Sequence, residues 1–469
     1  MQDAQQRARL TTEAAQALKQ RGDLLRQAQR PLEALQSYEQ ALALKPDFAE
    51  ALKNRGNALR ELGRPAEALA SYQQALSVEP DYVDALNNCG VTLQELDRPE
   101  LAITYYRQAL GLKPDAAGTL TNCGVTLQDL GLPAEALAGY QRALQLQPES
   151  AAAHLGAGLC YLLLGDFANG WQEYEWRWQT GPFAAFKRAC AQPLWLGSSS
   201  LAGQTILLHA EQGLGDTVQF CRYVGELAAL GAIVLLEVQP TLKNLLAQLP
   251  GVAGVYAVGE ALPRFDYHCP LLSLPLALRT QLTAIPAQSP YLRADPRKVS
   301  DWAARLRTPG KPLIGLAWSG NLAHVADHHR SIPLAQLAPF FSGPLSGKAD
   351  FVGVQTQVRD ADRAAMSQFG ILDVASELND FTDTAALLAC VDHVITVDTV
   401  AAHLAGALGR PTTLMLPYRP DFRWLLKRAD SPWYASLELV RQERRGDWSS
   451  AITQVTAELT ALVSTFIHL

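Results

Sequence analysis

The sequence has no CxxC pair, no excess of basic residues, and no stretch of about 18 residues free of charges and turn formers. Each absence excludes a class of protein. The seven cysteines, Cys89, Cys123, Cys160, Cys190, Cys221, Cys269 and Cys390, are odd in number and widely spaced. That argues against a disulfide framework or a cysteine zinc site, and for free thiols in a reducing compartment. Forty Lys and Arg against 46 Asp and Glu give a formal charge of -6, the wrong balance for general nucleic-acid binding or docking on anionic membranes. The start, Met1-Gln2-Asp3-Ala4-Gln5-Gln6, has no apolar core behind a basic stretch, so a cytoplasmic chain with no membrane span is expected. What is present is material for packed cores. Of 469 residues, 48% are apolar and 18% charged, which fits about three ordered domains.

An internal period organises the first part. Pro46, Pro80, Pro114 and Pro148 recur every 34 residues. At fixed distances before them stand Ala41, Ala75, Ala109 and Ala143; Tyr38, Tyr72, Tyr106 and Tyr140; Ala34, Ala68, Ala102 and Ala136; and Gly22, Gly56, Gly90 and Gly124. Small residues that let two helices approach, an aromatic between them and a helix-ending proline describe a helix-turn-helix unit. The pattern closely resembles the tetratricopeptide repeat (TPR). A fifth unit fits loosely, with Gly158, Tyr174 and Pro182 in register but Gly170 and Arg177 at alanine positions, and reads as a cap. Its aromatics Trp171, Tyr174 and Trp178, at i, i+3 and i+7, suggest a face docked on the next domain, or in the plainer reading a buried capping stripe.

Two residues before each repeat glycine stand Gln20, Asn54, Asn88 and Asn122. An amide column on the first helix of each unit can donate to and accept from the backbone of an extended peptide. It resembles the asparagine ladder in the repeat domain of O-GlcNAc transferase, which implies an acceptor polypeptide as partner. The competing reading is that the amides only bridge neighbouring repeats.

After Ser198-Ser199-Ser200 the period disappears and strand-like and helix-like stretches alternate. Strand candidates are 205–209, 232–238, 313–318, 351–355, 393–397 and 412–416, with a proline-containing break near Pro286 to Pro312. Such alternation predicts two doubly wound parallel-sheet units in tandem. The expected organisation is a TPR solenoid over 1–184, a linker over 185–203, and Rossmann-like domains over 204–300 and 301–469.

In such pairs a ligand sits beyond the carboxyl ends of the strands, so the following loops should carry the chemistry. The first loop is Glu211-Gln212-Gly213-Leu214-Gly215-Asp216, where glycines allow a tight turn and close approach of substrate. Asp216 is a candidate base or a helix cap. The second, Trp318-Ser319-Gly320-Asn321 through to Arg330, offers hydroxyl, amide and guanidinium donors suited to a diphosphate. His324 and His328 within it lack a third ligand, and no metal site is expected. The third is Asp398-Thr399-Val400-Ala401-Ala402-His403, at the start of a helix whose exposed amides would stabilise phosphate.

Taken together, the three loops resemble those of the bacterial heptosyltransferase family over about residues 204 to 446. The resemblance implies a GT-B glycosyltransferase with Asp216 as general base and Thr399 and His403 on a nucleotide-sugar donor. Val400 stands where the family has glycine, and no lysine occurs between Trp318 and Arg330, where the family places a phosphate-binding one. The expected function is an inverting, metal-independent transfer of sugar to a Ser or Thr hydroxyl of a protein held by the repeats, with no cofactor beyond the donor. Trp318, Ser319, Gly320, Asn321, Arg330, Asp398, Thr399 and His403 would face the donor, and Glu211, Gln212, Gly213 and Gly215 the acceptor. Glu211 and His209 are reserve bases. The alternatives are a non-catalytic adaptor and a transferase for glycan or lipid acceptors.

Overall fold

The computed structural model describes residues 2–286, 290–322 and 327–466, so His324 lies outside the described residues. The chain divides into two compact units, Met1–Cys160 and Tyr161–Leu469. The period read to residue 184 therefore runs past the first unit. The second helix of the fifth repeat, Phe167–Tyr174, belongs to the second unit.

The first unit is built from helix pairs such as Ala49–Glu61 with Pro65–Val78 and Val83–Glu95 with Pro99–Leu112. Four second helices begin with proline, at Pro31, Pro65, Pro99 and Pro133. At the first helical position the missing N–H is one that a helix leaves unpaired in any case. Tyr38, Tyr72, Tyr106 and Tyr140 are fully buried. Their hydroxyls donate to Asp23, Asn57, Gln94 and Gln128 at 2.6–2.9 Å, so none of these four buried hydroxyls is stranded. The repeat glycines exist because of these rings. A Cβ on Gly56 would lie 2.4 Å from Tyr72 Cε1.

Gly56→Ala tests that packing. Alanine gains about 1 kcal/mol over glycine inside a helix, but a ring pinned by its hydroxyl has no room to retreat, and overpacking costs about 1–3 kcal/mol. We expect net destabilisation, visible as a lower urea midpoint in the helical circular-dichroism signal; a raised midpoint would mean that the ring yields freely.

The second unit contains two parallel sheets. In the first, β1 (Thr205–His209), β2 (Ile233–Val238), β3 (Val252–Ala257) and β4 (Tyr267–Pro270) lie in the order β3-β2-β1-β4. In the second, β5 (Leu313–Ala317), β6 (Asp350–Gly353), β7 (His393–Val397), β8 (Thr412–Leu416) and β9 (Leu437–Arg441) lie in the order β6-β5-β7-β8-β9. The central strands β1, β5, β7 and β8 are almost wholly buried apolar runs, as a sheet covered on both faces requires. The strands β3, β4 and β9 escaped the sequence reading. The C-terminal helix Ser449–Phe466 buries Ile452, Val455 and Leu459 in the same core as Ile314, Ile395 and Met415.

Candidate active site

The loop after β1 and the loop after β8 meet at one ion pair. Asp216 is the third residue of the helix Leu214–Phe220 and reaches back, its Oδ2 accepting from the Gly213 amide at 2.8 Å. It is thus not the helix cap itself. Its Oδ1 faces the guanidinium of Arg423. Arg423 also donates to Gln219 Oε1 at 2.6 Å and to Asp421 Oδ1 at 2.7 Å. Burial pushes the Asp216 carboxyl above the ordinary aspartate range, and Arg423 opposes this without cancelling it.

The second and third loops meet beside this pair. Arg330 Nη1 donates to the Asp398 carbonyl at 3.0 Å, and Nε lies 3.3 Å from Asp327. The guanidinium covers Gly320 so closely that a Cβ there would stand 2.8 Å from Nη2. Ser319 is buried and its hydroxyl accepts from Gln355 Nε2 at 3.1 Å. Thr399 caps the helix Val400–Ala407, its hydroxyl accepting from the Ala401 amide at 3.3 Å. The Asp398 carboxyl is raised first by burial and then by the neighbouring Asp421, while Arg330 and Arg423 pull it down. Four carboxylates, Asp216, Asp327, Asp398 and Asp421, therefore lie around the guanidiniums of Arg330 and Arg423 along loops from both sheets.

Several expected contacts fall elsewhere. Trp318 is fully buried in the core of the second sheet, with Nε1 donating to Asp362 at 2.9 Å, so it has no surface to offer a donor. Gly215 serves packing rather than substrate approach: a Cβ there would lie 2.7 Å from His403 Cδ2. His403 is itself buried, 3.0 Å from the Tyr434 hydroxyl through Nδ1 and stacked on Trp424 at 5.3 Å. Burial and the charges of Arg423, Arg222 and Arg330 hold it well below the usual histidine range, hence neutral. Glu211 is buried against Arg177, not open to an acceptor. The reserve base His209 is buried 3.2 Å from His268, with its pKa lowered to about 3 by burial.

Sequence reasoning missed Arg423, Asp421 and Arg359. The strand at 412–416 was legible, and the rule that loops after strand ends carry ligands applied equally to 417–424. Arg359 enters through the loop after β6, contacting Asp327 and donating to Ser331 Oγ at 2.9 Å.

In the first unit the amide column is used between repeats. Asn54 donates to Asp23 at 2.7 Å, Asn88 to Asn57 at 2.9 Å and Asn122 to Asn87 at 3.2 Å. Gln20 is exposed. The bridging geometry arises because each amide lies one helix spacing from a polar residue of the preceding unit. A cavity of about 330 Å³ beside the column is lined by Arg26, Lys53, Asn57, Arg60, Glu61, Asp84, Asn87 and Asn88, of which the sequence reading singled out Asn88 alone.

Comparison with known proteins follows the same division. Residues 22–63, 56–97, 83–116 and 124–175 match tetratricopeptide-repeat models, and 353–430 match Glycosyltransferase family 9 (heptosyltransferase). The chain is 29% identical to protein FlbA of Caulobacter vibrioides over 328 residues, 64% of this chain and 53% of FlbA. It thus spans about half the length of that relative. Among solved structures, YrrB, described as a TPR protein with an unusual peptide-binding site, is 24% identical over 35% of this chain and 85% of its own, with a TM-score of 0.31. PilF of Pseudomonas aeruginosa is 24% identical over 36% of this chain and 78% of its own, with a TM-score of 0.34. The chain joins tetratricopeptide repeats to a glycosyltransferase family 9 domain.

Proposed function

We propose that the chain is an inverting, metal-independent glycosyltransferase that moves a sugar from a nucleotide-sugar to a Ser or Thr hydroxyl of a polypeptide recruited by the repeats. The observation that carries this reading is the meeting of Asp216, on the first sheet's loop, with Arg423 on the second's, beside the Arg330–Asp398 contact. Asp216 takes the proton of the acceptor hydroxyl as the oxygen attacks the anomeric carbon and the nucleotide departs from the opposite face. Arg330 and Arg423 supply the positive charge for the diphosphate, and their guanidinium forks suit phosphate oxygens. In this role they also do what a lysine does elsewhere in the family.

The repeats present the acceptor. The inter-repeat bridges use the carbonyl oxygens of Asn57 and Asn87, so the amide N–H groups of these two residues are offered to the carbonyls of an extended chain, beside Lys53 and Arg60, which pair with Asp84 and Glu95. Among the described residues no helix is long and apolar enough to cross a membrane.

The test incubates the full chain with UDP-, GDP-, ADP- and CMP-linked sugars and measures free nucleotide. One donor is expected to be hydrolysed slowly alone and faster with a Ser- and Thr-containing polypeptide. No release from any donor, with no heat of nucleotide binding by calorimetry, would leave a non-catalytic adaptor as the better reading.

A further inference from the structure

The loop that carries Asp216 is held largely from outside, and much of that hold comes from an arginine with no part in the proposed chemistry. Arg177, in the short 3-10 turn Glu175–Gln179, is wholly buried. Its Nε and Nη2 donate to the two oxygens of Glu211, each at 3.0 Å; Nη2 also donates to Ser273 Oγ at 2.7 Å, and Nη1 to Glu175 at 2.5 Å. Glu211 Oε1 accepts in addition from the Leu272 amide at 3.0 Å. The next residues are tied as well. Gln212 donates to the Tyr174 hydroxyl at 3.0 Å, its carbonyl accepts from Gln239 Nε2 at 2.9 Å, and Gln239 Oε1 accepts from Thr217 Oγ1 at 2.9 Å. The stretch 211–217 is thus anchored at Glu211, Gln212 and Thr217, the first two to the segment Tyr174–Arg177, with Asp216 between the anchors.

Stability alone is a poor reason for such a pair. Two charges taken out of water lose hydration that their attraction barely restores, and apolar replacements of similar volume are often neutral or better. A guanidinium fork on a carboxylate does one thing that apolar packing cannot: two parallel hydrogen bonds admit a single orientation. We infer that Arg177 is a positioning residue, which by fixing Glu211 sets where the 211–216 loop places the Asp216 carboxylate. The inference rests on the reading of Asp216 as the base.

Arg177→Lys in the full chain is the first test. It keeps a positive charge beside Glu175 and Glu211, but one ammonium cannot hold both Glu211 oxygens and Ser273 in the same geometry. Misplacing a reacting group by about 1 Å costs up to about 100-fold in rate. We expect kcat to fall at least about tenfold with KM for the donor held within about threefold, the signature of an interaction made only in the transition state. Amide hydrogen exchange at residues 212–215 should rise alongside. Arg177→Met combined with Glu211→Met removes both charges, and should show the same kinetic defect with a thermal midpoint near that of the wild type. Unchanged exchange and kcat in Arg177→Lys, with Asp216→Asn inactive, would overturn the positioning inference alone. Full activity in Asp216→Asn would instead sink the base, and the inference with it.

Discussion

Asp216→Asn is expected to lower kcat by about 10²- to 10⁴-fold, the usual contribution of a positioned base, while leaving the donor KM within about threefold. The amide has nearly the shape of the carboxylate, and its oxygen can still accept from the Gly213 amide or from Arg423, so the loop should keep its place. What it cannot do is take a proton. The pH dependence follows from the direction of the shift. Burial raises the Asp216 carboxyl despite Arg423, so the proton stays on to a higher pH than in an exposed aspartate near 3.9. Activity should therefore climb with pH through a midpoint above that value, and the residual rate of the variant should lack this limb. For stability the sign is opposite to that of a typical ion-paired aspartate: a carboxyl raised in the folded state costs stability above its folded pKa, and the cost vanishes as pH falls below the unfolded value. Asp216→Asn removes that cost, so the variant should melt no lower than the wild type at neutral pH, and lost activity then cannot be blamed on unfolding. Wild-type kcat in the variant would remove Asp216 from the mechanism.

How much of this could be read from residues alone differs by level. The repeats were legible because one residue type recurs at one spacing: Tyr38, Tyr72, Tyr106 and Tyr140 each press on the glycine of their own unit, Gly22, Gly56, Gly90 and Gly124, where a Cβ would clash. The strands β1, β5, β7 and β8 were legible because burial on both faces demands an unbroken apolar run. Strand β3 was not, since Gly254 and the partly exposed Val255 and Tyr256 give it a mixed pattern at the sheet edge. At the site, the Asp216 loop announces itself by its glycines, but its partner Arg423 lies 207 residues away. No local pattern marks that pairing. The same limit misplaced Trp318 and left two readings of the amide column open: type and spacing bring a side chain to a face, while the neighbour on that face comes from another part of the chain.

Two truncations should give opposite results, and the difference locates the functional boundary. A chain of residues 161–469 is expected to fold and to keep nucleotide release, while one of residues 185–469 should not fold. The extra 24 residues look like repeat in sequence but supply core to the second unit. Phe167, Trp171 and Tyr174 are 1%, 2% and 3% exposed. Trp171 packs edge-on against Phe220 at 5.9 Å and Phe422 at 5.6 Å, one from each sheet's helical layer, and Phe167 stacks on Trp433 at 6.0 Å. Removing a single buried Phe or Trp costs about 3–5 kcal/mol, and losing Arg177 strands Glu211 as an unpaired buried charge at a similar cost. The total is comparable with the whole stability of a domain, about 5–15 kcal/mol, and the bared Phe220, Phe422 and Trp433 would promote aggregation. Soluble yield and a thermal melt distinguish the two fragments directly. Loss of residues 1–160 should in addition abolish sugar transfer to a folded or extended polypeptide while sparing donor hydrolysis, because the groove lined by Lys53, Asn57 and Arg60 goes with them. A soluble, cooperative melt for 185–469 would show that the aromatic segment is dispensable packing; undiminished transfer to polypeptide by 161–469 would show that the repeats do not deliver the acceptor.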